Sequence, residues 1–204
     1  MKPVHRSEVL GLADYETVRE RFRGRVIAEK RRRRVALGPK ASAVFENRDT
    51  VLLQIQEMLR TERITRPAAI QHEIDTYNEL LPGPDELSCT LMIEIPDAAE
   101  REAFLRAASG LERHVWLASG PRRVPASAVD RTAGEPADRT TAVHYLKFKL
   151  PREVADALRG AAEHRAGAPA LALEIDHPAY AARAALPPET TAALAEDLQE
   201  DTPG

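Results

Sequence analysis

LPGPDELSCTLMIEI, Leu81 to Ile95, is where the chain changes its hydrophobic period. Before it, apolar residues return every three or four positions, as along one side of a helix. From Leu87 they alternate. Cys89, Leu91, Ile93 and Ile95 fall on one side of an extended segment, with Thr90, Met92 and Glu94 on the other. Pro82, Gly83 and Pro84 stop the preceding helix and mark the strongest boundary in the chain. The expected class is α+β, an N-terminal helical segment packed with a mostly antiparallel C-terminal sheet.

Downstream, Asp97 caps a helix containing Phe104 and Leu105 that ends near Gly110. HVWLASG and RRVPASAV read as two strands joined at Gly120-Pro121. DRTAGEPADRTT is a polar loop, expected to be mobile. AVHYLKFKL is a strand, Pro151 opens a helix running to about His164, and PALALEID is the last strand. The order strand, helix, two or three strands, helix, strand approximates a ferredoxin-like, split βαβ sheet with an insertion.

Upstream, Ser7 is a candidate cap for a short helix and Asp14 for a longer one with the stripe Tyr15, Val18, Phe22, Val26. Gly38-Pro39 turns a small hairpin. A helix follows with Val51, Leu52, Ile55, Met58 and Leu59 on one arc. Pro67 then starts another, buried through Ile70, Ile74, Tyr77 and Leu81. Residues 1–81 form a helical region with a hairpin, 87–186 a sheet region and 187–204 an acidic tail with a short helix, all in one compact unit.

The 204 residues are 43% apolar and 30% charged, the balance of a globular protein. A net charge of -3 and 4% aromatics argue against a nucleic-acid surface. One cysteine, Cys89, excludes a disulfide within the chain and a cysteine-rich metal site, and fits the reducing cytoplasm. No apolar run reaches the roughly 18 residues of a membrane span.

A few buried polar positions stand out. Glu62 lies between Ile55, Met58 and Leu59 on the helical wheel. Arg48 shares that arc about 21 Å away along the axis, too far for the two to pair. Each therefore needs a partner on another element, because a lone buried charge costs several kcal/mol. Arg48, Glu57, Arg60 and Glu62 are expected to form a buried polar network. His144 shares the face of Leu146, Phe148 and Leu150. His177 continues the face of Leu171, Leu173 and Ile175 up to Pro178, which stops the ladder. The common reading is satisfied core histidines, and a Glu62 that either joins a structural ion pair or emerges into solvent at the helix end. The sharper one is a two-histidine, one-carboxylate site of His144, His177 and Glu62 for iron, zinc or manganese. No HExxH or ExxH motif supports it. Lys30 to Arg34 is read as a solvated helix end, with anion or nucleic-acid binding as the alternative, and Cys89 as a buried inert thiol.

RVALGP, FENRDTVLLQIQEMLRTERI, YNELLPG, TLMIEI, AVHYLKF and IDHPAY, in this order, resemble a bacterial family catalogued as domain of unknown function 3501. The resemblance implies genes that lie beside rubrerythrin-like proteins and iron–sulfur oxidoreductases, and hence a role in redox or metal-related metabolism. It assigns no catalytic residue and no cofactor. Two functions stay open: an accessory protein that docks an oxidoreductase partner, and a small metal-binding enzyme or sensor.

Overall fold

The computed structural model describes residues 1–129, 138–164 and 169–200. Most of the polar loop expected to be mobile (residues 130–137) and the expected frayed end (201–204) lie outside the described residues. The chain begins with a single 3-10 turn, Arg6–Glu8, in place of the short helix expected after Ser7. Helix α1 (Leu12–Arg32) follows, starting at Gly11 with Asp14 inside its first turn.

Strands β1 (Arg34–Leu37) and β2 (Ala41–Phe45) form the expected hairpin. Gly38 turns it at φ +68°, with the Tyr180 hydroxyl 2.7 Å from where a β-carbon would sit. Only glycine meets both demands without strain. Helix α2 (Arg48–Thr61) opens on a reciprocal cap. Asn47 Oδ1 accepts from the Thr50 amide at 3.0 Å, and Thr50 Oγ1 accepts from the Asn47 amide at 2.9 Å. Helix α3 (Pro67–Asn78) buries Ile70, Ile74 and Tyr77 as its spacing predicts.

The α+β class and the antiparallel pairing are as expected. β3 (Glu86–Ile93), helix α4 (Ala98–Ala107), β4 (Val115–Ser119), β5 (Arg122–Pro125), β6 (Ser127–Ala128), β7 (Val143–Lys149), helix α5 (Arg152–His164), β8 (Leu171–His177), β9 (Tyr180–Ala185) and helix α6 (Pro188–Glu200) complete the described chain. Asp97 caps α4, its Oδ1 accepting from the Glu100 amide at 2.7 Å.

The strand order differs from a single ferredoxin-like sheet. One sheet runs β1-β2-β3-β7-β6 and a second β5-β4-β8-β9. The reason is the apolar content of the strands. Leu37, Phe45, Leu91 and Phe148 from the first sheet and Leu117, Leu173 and Ile175 from the second share one buried cluster. Two sheets facing each other bury all of these faces at once. At Ala126 the chain passes from β5 in one sheet to β6 in the other. Strand β9 was not anticipated: Pro178 sits in the two-residue turn between His177 and Tyr180 instead of ending the ladder.

Two further layers position the candidate sites. Helix α6 is no loose tail, since Leu194 and Leu198 enter the sheet core. The N-terminal segment, α2 and α3 build a second cluster of Val4, Val9, Val51, Ile55, Leu59, Ile74 and their neighbours. The half-buried Tyr145 of β7 packs against it. Among the described residues no helix is long and apolar enough to cross a membrane.

Candidate functional site

The charges of α2 reach outward to the N-terminal elements. Glu57 Oε1 accepts from Tyr15 Oη at 2.6 Å and from Arg19 Nε at 2.8 Å, while its Oε2 accepts from Arg19 Nη2 at 2.8 Å. The bonded Arg19 guanidinium holds the Glu57 carboxyl below its usual range. Burial first, and then the bond to Glu57, push the Tyr15 phenol up. Arg60 Nε donates to Glu16 at 2.5 Å. Arg48 pairs with Glu8. Arg48, Glu57 and Arg60 thus join α2 to its neighbours, as the need for outside partners requires, but they do not form one buried network.

Glu62 is exposed. It is the C-cap of α2, and Arg63 behind it takes φ +51°. The Glu62 amide still donates to the Met58 carbonyl at 3.0 Å, but the residue stands at the helix end in solvent, so the expected inward position of Glu62 is corrected.

Both histidines are buried, each 8% exposed. His144 Nε2 lies 3.1 Å from Thr140 Oγ1, and burial lowers its pKa. His177 Nδ1 accepts from the Ala179 amide at 3.1 Å, which leaves Nε2 to donate to the Ser109 carbonyl at 3.2 Å. Its one basic lone pair is therefore engaged by backbone and is not offered to a metal. Among the described residues no three His, Cys, Asp or Glu side chains form a group that could hold a metal ion. The set His144, His177 and Glu62 does not fit an iron, zinc or manganese centre.

The basic run is a solvated helix end only in part: Arg31 and Arg34 are exposed, while Arg33 turns inward. Arg33 is 1% exposed and forks onto Asp197 through Nη1 at 2.5 Å and Nη2 at 2.8 Å, with Nε bonded to Glu29. Arg32 holds Glu29 and Glu196, while Arg34 holds Ser42 and Glu94. Cys89 is buried, and burial pushes its thiol well above the usual range, as an inert thiol requires.

Two polar centres were not singled out from sequence. Glu46, 3% exposed, accepts from Thr90 Oγ1 at 2.5 Å, from Gln54 Nε2 at 3.0 Å and from Thr50 Oγ1. These donors are neutral and come from α2 and β3, so the carboxylate stitches the helix to the sheet. Its position after an all-buried strand, β2, is the signal that could have found it. On the exposed side of the second sheet, Asp176 accepts from Arg123 Nη2 at 2.7 Å and Trp116 Nε1 at 3.0 Å. Arg123 lies 4.4 Å over the Trp116 ring. Arg123 first, then Trp116, bring the Asp176 pKa down to about 2.

Among the described residues, a groove shaped to receive another molecule lies between α1 and α2. These helices run antiparallel, with Arg25 facing Asp49 at one end and Glu16 facing Arg60 at the other. The expected stripe of α1 is covered only at its ends: Tyr15 and Val26 are fully buried, Phe22 is half-buried and Val18 is exposed. A groove of about 480 Å³ opens there, walled by Leu10, Val18, Phe22 and Leu52 and rimmed by Arg21 and Arg25. Leu10 is held in the wall by Gln56, whose Oε1 accepts from the Leu10 amide at 2.6 Å. Of the three exposed large apolar residues among those described (Leu10, Val18 and Val143), two line this groove.

A solved structure from Burkholderia pseudomallei, titled a novel protein of unknown function, is 34% identical to the chain. It superposes with a TM-score of 0.87, covering 97% of this chain and 100% of that one. No curated protein matches. The chain belongs to the family described as protein of unknown function (DUF3501), whose model matches residues 3–198.

Proposed function

We propose that the protein is a cytoplasmic accessory protein of redox or metal-related metabolism, which docks an oxidoreductase and has no catalysis of its own. The observation that carries this reading is the uncovered stretch of α1, where Val18 and Leu10 stand exposed in one groove. Exposed apolar side chains gathered in a concave, charge-rimmed site are the usual mark of a recognition surface. The polar clusters elsewhere support it, because their donors and acceptors already hold elements of the fold together.

The test is calorimetry of the purified protein against an iron–sulfur oxidoreductase of the same organism, the partner class that the family resemblance implies. The expected result is binding that Val18→Asp weakens at least tenfold. No heat of binding, or full affinity in the variant, overturns the reading.

A further inference from the structure

The rim of the groove determines what kind of element fits inside it. Val18, Arg21, Phe22 and Arg25 follow one another at three, four and seven positions, so they share one face of α1. That face spans about 10 Å, two helical turns. The opposite wall is Leu52 of α2. A trough between two antiparallel helices is a natural seat for a third, which places apolar residues at the same three- and four-residue spacing between the walls.

The charge of the rim is one-sided. Arg21 is exposed and has no ion-pair partner among the described residues. Arg25 is paired only with Asp49, with more than half of its side chain in solvent, and its guanidinium lies 5.3 Å from the Phe22 ring centre. Glu8, the single acid that lines the groove, is neutralised by Arg48. A chain of net charge -3 therefore presents, at Arg21 and the half-exposed Arg25–Asp49 pair, an edge with one uncompensated positive charge beside its exposed apolar residues. Such an edge favours an acidic partner and repels a basic one.

We infer that the α1–α2 groove receives an acidic amphipathic helix, with its apolar face on Val18, Phe22 and Leu52 and its carboxylates on Arg21 and Arg25. This rests on the docking reading and names the partner's contacting element.

The probes are two synthetic helices of about 20 residues, long enough to hold helical structure. They share leucines at positions i, i+3, i+4 and i+7 and carry either glutamate or lysine at the flanking positions. Binding is read by fluorescence anisotropy. The glutamate peptide is expected to bind the wild type at least tenfold more tightly than the lysine peptide. Arg21→Glu reverses that preference, and Val18→Asp removes binding of both. Both sites are exposed, and circular dichroism checks that each variant keeps its fold. Equal affinity for the two peptides, or a preference unchanged in Arg21→Glu, overturns the inference. If the oxidoreductase binds through Val18 while the acidic peptide does not, the inference falls and the docking reading stands. If neither binds, both fall.

Discussion

The molecule has two apolar regions built by different rules. Between the sheets, inward-facing residues from both layers meet, and Leu91, Leu117, Phe148 and Leu173 are fully buried. In the N-terminal helical layer the same kind of pattern is covered unevenly. Ile55 and Ile74 are sealed by neighbouring helices, whereas Val18, on an equally regular stripe, faces solvent. Charges take over where apolar cover is missing: the α1–α2 seam is held by Arg19–Glu57, Arg25–Asp49 and Arg60–Glu16. Hydrophobic periodicity says which side of an element faces inward. It does not say how far a neighbour extends to cover that side.

That contrast can be broken at several points. Phe148→Ala, in the closed core, is expected to cost about 3–5 kcal/mol of unfolding free energy, measured by denaturant titration. A loss below about 1 kcal/mol would mean the two sheets are not packed as one core. Glu46→Ala, at the seam between α2 and the sheet, strips the acceptor from Thr50, Thr90 and Gln54, and about 1–3 kcal/mol should be lost.

His144 gives a smaller, pH-dependent effect. Burial lowers its folded pKa below the ordinary histidine value of 6.5, so the unfolded chain takes up the proton first. Its contribution is complete above pH 6.5 and declines as the pH falls through the lowered folded value. Melting temperatures between pH 7.5 and 5, on the order of the range in which histidines titrate, should fall less steeply in His144→Asn. Arg60→Ala removes an exposed pair and should change stability by about 0.2–1 kcal/mol at low salt, vanishing at high salt. An effect as large as that of Phe148→Ala would show that charges carry the helical layer as strongly as apolar burial carries the sheets.

Much of the fold was legible in the sequence because it is written in short-range patterns. The alternation from Leu87, the Asp97 cap, Pro67 at a helix start and the Ile70–Ile74–Tyr77 stripe each depend on neighbours within a few residues. The partition into two sheets was not legible. Alternation makes β3 and β4 strands but does not reveal that they pair with β7 and β8 in separate layers. β9 is mainly alanine, with little β preference, and begins two residues beyond a proline. Of the candidate site residues, His144 and His177 are buried as the strand parity implied. Glu62 failed because the wheel gives a direction but not whether anything covers the last turn, and at this helix end Glu62 meets solvent. The burial of Arg33 was hidden in a run of basic residues, with nothing local to mark which of them would turn inward.

The Arg33–Asp197 clasp also sets an order of events during synthesis. The guanidinium leaves the ribosome 164 residues before the carboxylate that will neutralise it. Without α6, Arg33 keeps only Glu29 beside it, so sealing that corner would leave both of its Nη donors without the Asp197 carboxylate. Closure of that corner is thereby tied to the docking of α6.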